Sequence, residues 1–459
     1  MKRCAHALRP VSACGGLALA VLLLSGCSTV PPTTVPPTTV ATPAAPIAGT
    51  VAAPLPAGGL TCDDPTDCKQ LMLSFAYAAD LSQSLIGDLA TVTQTTKERI
   101  DCLLAATPEF EGWSTTWGPA IQLEPLVGRG ADSPNPLWFL TETPANTMVV
   151  FSRAGSNDHV VAIAGTNPLS LYGWLVEDFK ITPEAWPFGT GDSGYITKGT
   201  LDGLEILIAL EDGSTSLAKY LATVTGSPGV TVYVTGHSLG GALSPALGLW
   251  LADTQGQASG WDPGSNASLA VYPFAGATPG DQHFAAYLNG KLPGDALVVV
   301  NNTNDVVPHA WNPTSLAQIQ TLYPVGIRPV LLAPLVKDME KLAVEKSADF
   351  DRDHPGYGFT YTTVGTAGQQ QPVTAPIVPA DELGNVHDCV LVDQLQDALL
   401  AATEDGKLDL DPSDRAFLLE MGYQHVCGYP VTLGLPDLVA TMHACSADPP
   451  TAGSGAAAR

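Results

Sequence analysis

Between about residue 145 and residue 310, strand-like and helix-like segments alternate, and this rhythm limits the possible folds more than any other feature. The strand-like runs, several almost continuously apolar, are NTMVVFSR, DHVVAIAGT, GVTVYVTG, SLAVYPFAG and DALVVVNNTND. The helix-like stretches among the later runs are LDGLEILIALEDGSTSLAKYL, GGALSPALGLWLAD and DQHFAAYLNG. This order predicts an α/β fold, with a mostly parallel sheet covered by helices on both faces. Such sheets carry their chemistry at the carboxyl ends of the strands.

The flanking segments have other patterns. Residues 61 to 107 carry apolar side chains at three- and four-residue steps, which predicts N-terminal packing helices. After Pro308 the alternation is lost, and we expect a loop followed by a helix, then a strand at YGFTYTTVG. The folded domain is predicted to span 61–446, followed by a disordered tail over 447–459.

The run VTVYVTGHSLGGALS places a serine where a strand gives way to a helix. Gly236, Ser238 and Gly240 have the G-x-S-x-G spacing of a nucleophile elbow. In such an elbow the serine occupies a strained turn, and the flanking residues are small so that neighbouring backbone can pass close by. The pattern therefore predicts Ser238 as a nucleophile that needs a base and an acidic partner.

The first residues are predicted to form an export signal, because the basic Lys2, Arg3 and Arg9 precede an apolar run too short to span a bilayer. The sequence Leu24-Ser25-Gly26-Cys27 resembles the lipobox of bacterial lipoproteins, which predicts a signal peptide over 1–26 and a lipid on Cys27. An ordinary signal peptide with a chance cysteine is the alternative. The Pro/Thr/Ala-rich residues 27–60 are predicted to be a tether. We therefore expect an exported protein anchored to a bacterial membrane, at the outer membrane or cell surface.

Charge and cysteine content narrow the partners. The chain has 45 acidic and only 20 basic residues, which argues against a nucleic-acid partner. Export would leave an even number of unmodified cysteines in an oxidising compartment, so up to three disulfides are expected, with the pairing open. These are Cys62, Cys68, Cys102, Cys389, Cys427 and Cys445. Their spacing does not match a zinc site, and no metal is predicted.

Beyond the elbow, the segment from about 145 to 310 resembles the class 3 lipases. The similar segments are VVAIAGTNPLSLYGWLVEDF, ITKGTLDGL, GHSLGGA, YPFAGATPGDQHFAAYLN and VVNNTNDVVP. The resemblance implies an α/β-hydrolase-like fold over 61–446 and a catalytic order of serine, acid and histidine. By this resemblance the acid is Asp305, which follows the apolar run ALVVV at a strand's carboxyl end.

The histidine is the least determined member of the predicted triad. The segment MGYQHVCGYPVTLG around His425 resembles the family's late histidine loop, and GNVHDCVLVDQL around His387 is the alternative. About 120 residues separate Asp305 from His425, so an insertion is expected to be looped out before the catalytic histidine.

Three further roles follow from the resemblance. The backbone N–H of Leu239 and the residue Thr166 are expected to form the oxyanion hole, and His237 is expected to pack or hydrogen-bond behind the serine rather than act as the base. An apolar stretch that includes Leu171, Trp174 and Phe179 suits either a lid over the site or an ordinary covering helix.

The sequence thus predicts a carboxylic ester hydrolase acting on lipids, a triacylglycerol lipase or esterase that needs no cofactor. The partners expected are a lipid or ester substrate and a membrane reached through lipidated Cys27. A phospholipase or a polyester hydrolase would use the same triad, and a non-catalytic surface binding protein on a hydrolase fold is the alternative from another class.

Overall fold

The computed structural model describes residues 65–125, 142–165, 180–329, 333–379 and 411–446, together with residues 382, 389, 392, 395 and 396. Its α-helices are α1 (Pro65–Asp80), α2 (Leu89–Ala106), α3 (Lys198–Ala209), α4 (Leu217–Val224), α5 (Leu239–Thr254), α6 (Gln282–Lys291), α7 (Pro313–Gln318), α8 (Ala333–Asp353), α9 (Pro412–Gly422), α10 (Gly428–Thr432) and α11 (Leu438–Ser446). Its strands are β1 (Trp113–Pro125), β2 (Glu142–Arg153), β3 (Asp158–Ile163), β4 (Pro183–Ala185), β5 (Tyr195–Thr197), β6 (Glu211–Asp212), β7 (Thr215–Ser216), β8 (Val230–His237), β9 (Ala267–Phe274), β10 (Gly280–Asp281) and β11 (Tyr361–Thr362).

The main sheet has the strand order β1-β2-β3-β8-β9. The first three strands pair antiparallel, whereas β3, β8 and β9 run parallel. Isolated parallel bridges continue the sheet beyond β9, through residues 297–302 and then through residues 370–373. The predicted α/β fold with a mostly parallel core is confirmed, and part of the chain between Asp305 and His425 joins the sheet instead of being looped out.

The alternation of side chains along the strands builds one apolar layer on each face of the sheet. Val149 and Phe151 of β2 belong to the layer that contains α1, α2 and the C-terminal helices. Met148 and Val150 belong to the opposite layer, with α3, α4, α5 and α6. A helical layer therefore covers each face, as a sheet buried on both faces requires.

Three local expectations were wrong. The strand β1 was not predicted, because Gly118 and Pro119 interrupt its alternation and its register with β2 shifts three times. The predicted helical stretch 201–221 is split by the hairpin of β6 and β7, whose turn contains Gly213 at φ +63°. The predicted strand at YGFTYTTVG is reduced to the two residues of β11.

Disulfides are present, as the cysteine count predicts. Cys102 of α2 is bonded to Cys445 of α11, and Cys389 is bonded to Cys427. Cys68 is also disulfide-bonded. No helix among the described residues is both long and apolar enough to cross a bilayer.

Candidate active site

Ser238 lies between the end of β8 and the start of α5, as the elbow pattern predicts. Its backbone angles are φ 60° and ψ −118°, a conformation that is costly for a residue with a side chain. The turn is held by hydrogen bonds from the Ser238 N–H to the Phe274 carbonyl (3.0 Å) and from the Ala242 N–H to the Ser238 carbonyl (3.0 Å). Ser238 is 2% exposed. The Leu239 N–H that follows is the first of the helix and has no acceptor within it.

The glycines of the motif are explained by close backbone contacts. A β-carbon at Gly236 would lie 2.4 Å from the Gly240 carbonyl group, and one at Gly240 would lie 2.2 Å from the Ile163 oxygen. One at Gly241 would lie 2.0 Å from the Phe274 oxygen. These separations are far below van der Waals contact, so α5 can start this close to β3 and β9 only with glycine at the three positions.

Asp305 lies just beyond the 297–302 bridge segment, at the same edge of the sheet as Ser238. It is fully buried. Its Oδ1 accepts the Val307 N–H (3.0 Å), and its Oδ2 accepts the Tyr429 hydroxyl (2.8 Å) and lies 2.8 Å from His425 Nδ1. Three donors therefore compensate the desolvation of this carboxyl group.

His425 is the histidine that the structure brings to Asp305. Because a carboxylate only accepts hydrogen bonds, His425 Nδ1 carries the hydrogen and Nε2 carries the lone pair. Both Nε2 and the Ser238 Oγ are buried and have no hydrogen-bond partner among the described residues. The ring centroid of His425 lies 4.7 Å from that of His237, the residue preceding Ser238.

The expectation that His425 lies in a loop was wrong. It lies in a π-helical turn, Tyr423–Cys427, between α9 and α10. Glycines and a proline near the histidine suggested a loop, but tertiary packing holds this segment helical. The helical register explains why Tyr429, four residues after His425, contacts the same carboxyl group.

His237 is buried behind the serine, and its Nε2 lies 2.8 Å from the carbonyl oxygen of His425. Burial lowers the pKa of His237 well below its usual value, and the positive charge that His425 can carry lowers it further. A neutral His237 therefore links the elbow to the histidine turn through a backbone carbonyl.

Several contributors at the site have no motif in the sequence. The Asn302 side chain donates to the carbonyl and side-chain oxygens of Gln424, and Asn302 N–H donates to the Tyr429 hydroxyl. The Tyr77 hydroxyl of α1 donates to the Val426 carbonyl. Only a helical reading of MGYQHVCGYP would have pointed to Tyr429, and nothing local points to Tyr77.

Several predicted positions lie outside the described residues: Cys27, Thr166, Leu171, Trp174, Phe179 and His387. Their predicted roles in lipidation, the oxyanion hole, the lid and alternative catalysis therefore stay predictions. Among the residues that the structure does describe, no group of three or more His, Cys, Asp or Glu side chains could hold a metal ion.

Residues 160–314 match the family model described as Lipase (class 3). This match supports the class 3 lipase family. The lipase-like segment contains Ser238 and Asp305, whereas His425 lies beyond its end.

Similarity to solved structures extends outside the lipase-like segment. The crystal structure of M37 lipase is 25% identical at a TM-score of 0.61, and the match covers 82% of this chain and 95% of that one. Lipase II from Rhizopus niveus is 17% identical, covering 55% of this chain and 78% of that one, at a TM-score of 0.37 that is too low to bear on the fold. No curated protein matches the chain.

Proposed function

We propose that the chain is a serine hydrolase of lipid esters, with Ser238 as nucleophile, His425 as general base and Asp305 as the acid that orients the base. The match of residues 160–314 to class 3 lipases and the similarity to M37 lipase support a lipid ester as substrate. One observation carries the proposal: His425 Nδ1 is bound to Asp305 at 2.8 Å, which leaves the Nε2 lone pair as the base.

The reaction proceeds through an acyl-enzyme. Ser238 Oγ attacks the ester carbonyl carbon while its proton passes to His425 Nε2, and the oxyanion accepts hydrogen bonds from Leu239 N–H and Thr166. Each such donor is typically worth about 3 kcal/mol of transition-state stabilisation. The tetrahedral species then expels the alcohol, which takes the proton from Nε2. Water repeats the cycle and releases the acid.

Replacing the nucleophile tests the proposal directly. We expect Ser238→Ala to lower kcat on p-nitrophenyl butyrate by at least about 10⁴-fold, with an unchanged circular dichroism spectrum. Ser244→Ala is the matched control, since the Ser244 Oγ contacts only the helix carbonyl of Gly241 at 3.5 Å. Turnover retained by Ser238→Ala would contradict the proposal. A fluorophosphonate that fails to label Ser238 in folded protein would instead favour a binding module.

The identity of the base needs a second pair of variants. We expect His425→Ala to lower kcat by about 10³- to 10⁴-fold and His387→Ala to change it little. The reverse pattern would move the base to His387. A panel of tributyrin, phosphatidylcholine vesicles and polycaprolactone then defines the preferred ester, because the same triad hydrolyses all three.

We also propose that the protein is exported and anchored by a lipid on Cys27. The support is the sequence alone, a basic and apolar leader that ends in Leu24-Ser25-Gly26-Cys27. In a bacterial host, an alkyne fatty acid should label the native chain and leave Cys27→Ser unlabelled. Equal labelling of both chains, or of neither, would contradict the anchor.

A further inference from the structure

The side chain of Asp80 connects two parts of the proposed active site. It is the last residue of α1, and its Oδ1 accepts the Gly165 N–H at 2.7 Å and the Gln83 amide at 2.8 Å. Its Oδ2 lies 3.8 Å from Nδ1 of His237. The side chains of Asp80 and His237 are only 9% and 4% exposed. One buried carboxyl group thus contacts both the end of β3 and the residue that precedes Ser238.

Gly165 is the point where the end of β3 meets the elbow. A β-carbon at Gly165 would lie 2.7 Å from the His237 carbonyl oxygen and 3.1 Å from the Ser238 β-carbon. The glycine backbone is therefore confined by the elbow on one side and hydrogen-bonded to Asp80 on the other. Because the peptide that follows leads to the predicted oxyanion donor, a shift of Gly165 would misplace that donor relative to Ser238.

The hydrogen bonds around His237 determine where its proton lies. A carbonyl oxygen only accepts, so the bond to the His425 carbonyl requires the hydrogen on His237 Nε2. In the neutral ring, Nδ1 then carries a lone pair that faces Asp80 Oδ2. Burial raises the pKa of Asp80 well above its usual value and lowers that of His237. A neutral Asp80 presents a hydrogen to this lone pair, whereas a carboxylate presents a second lone pair.

The remaining neighbours of His237 do not replace this contact. Its ring packs against the rings of Tyr77, His425 and Tyr429, with centroid separations of 4.9, 4.7 and 5.7 Å. The Tyr77 and Tyr429 hydroxyls are used elsewhere, on the Val426 carbonyl and on Asp305. His425 Nδ1 is bound to Asp305. Asp80 is therefore the group that faces His237 Nδ1 with hydrogen-bonding capacity.

We propose that Asp80 is a positioning residue which, as a neutral carboxyl group, holds the Gly165 backbone and the His237 ring against the Ser238 elbow. This inference rests on the function proposed above. Asp80 acts on the reaction only through Gly165 and His237. It lies in α1, outside the segment 160–314 that matches the family model.

The test compares Asp80→Asn with Asp80→Ala. Asparagine reproduces a neutral aspartic acid here, because its oxygen can accept the Gly165 N–H and its amide can donate toward His237 Nδ1. We expect Asp80→Asn to keep kcat within about threefold, and Asp80→Ala to lower kcat about 10- to 100-fold with KM within about twofold. Asp67→Ala, at an exposed position of the same helix, is the control and should change neither constant.

Two results would overturn the inference: a kcat of Asp80→Asn as low as that of Asp80→Ala, or a normal kcat in folded Asp80→Ala. If Asp80→Ala does not fold, as judged by its thermal midpoint, Asp80→Asn alone decides, and a kcat more than tenfold below the native value overturns the inference. Fluorophosphonate labelling of Ser238 in the native chain separates the two proposals. Labelling with normal kcat in both Asp80 variants removes only the role of Asp80, whereas absent labelling and turnover removes both.

Discussion

The Ser238 elbow and the His425 turn are adjacent in space but are held in different ways. The elbow is held mainly by main-chain packing, since Gly236, Gly240 and Gly241 bring the start of α5 against neighbouring backbone. All of its contacts come from within the segment 160–314. The elbow is thus a feature of the local chain.

The His425 turn depends on groups from distant parts of the chain. Tyr77, which donates to the Val426 carbonyl, is 349 residues away from it, and Asp305 is 120 residues from His425. A disulfide joins Cys427, two residues after His425, to Cys389. This difference teaches that changes at the elbow should affect folding first, whereas changes around the turn should affect catalysis in a folded protein.

The strongest test of the elbow is Gly240→Ala. Its β-carbon would lie 2.2 Å from the Ile163 oxygen, so we expect at least about 3 kcal/mol of lost unfolding free energy and little active protein. Urea unfolding and ester hydrolysis measure both. Gly290→Ala is the matched control, because nothing lies within 4 Å of its β-carbon in helix α6, and it should gain up to about 1 kcal/mol. A stable, active Gly240→Ala would show that the elbow tolerates backbone displacement.

The two disulfides offer a matched pair for testing the turn. We expect the double variant Cys389→Ser/Cys427→Ser to lower kcat at least about tenfold, because Cys427 is close to His425. The double variant Cys102→Ser/Cys445→Ser should leave kcat within about twofold, since its bond joins α2 to α11. Each loss should cost about 2–4 kcal/mol in chemical unfolding. Equal kcat in the two double variants would contradict a turn held by its crosslink.

Tyr429→Phe removes one donor from the turn without changing its packing. The Tyr429 hydroxyl donates to Asp305 Oδ2, the oxygen that also binds His425, and accepts from the Asn302 N–H. We expect kcat to fall about three- to tenfold, the usual size for one lost hydrogen bond to a charged group. Tyr287→Phe, whose hydroxyl contacts Asp253 on the other layer, should leave kcat unchanged. Equal effects of the two substitutions would argue against a role for the Asp305 contact.

The smallest effect on activity is expected at Glu420, where stability rather than kcat reports. Burial raises the pKa of Glu420 from 4.5 to about 7, partly offset by hydrogen bonds from Gln424 and the Val378 N–H. The folded state therefore holds a proton that the unfolded state releases, so unfolding free energy falls as pH rises from about 4.5 to 7 and levels off above that.

Glu420→Gln should remove this part of the pH dependence while keeping kcat within about twofold. Urea unfolding at pH 5 and pH 8 measures it, as the difference between the native chain and the variant. Glu345→Gln, at an exposed position of α8, is the control and should keep the native dependence. The same fall in stability for Glu420→Gln as for the native chain would contradict the assignment.

Much of the fold was predictable because its signal is local. The apolar runs that became β2, β3, β8 and β9 and the glycine spacing at the elbow do not depend on distant residues. Strand β1 was missed because Gly118 and Pro119 obscure its alternation, and it forms only by pairing with β2. The helical state of the His425 turn was missed for a similar reason, since long-range contacts outweigh the turn-forming residues around it.

The sequence by itself determined the fold class, the elbow at Ser238 and the acid candidate at the end of an apolar run. It did so because residue type and spacing near one point of the chain carry that information. Only the tertiary structure decided which described histidine meets Asp305, which cysteines pair, and that Tyr77, Asp80 and Tyr429 contact the site. These depend on contacts between residues tens to hundreds of positions apart, which form only when the helices close over the sheet.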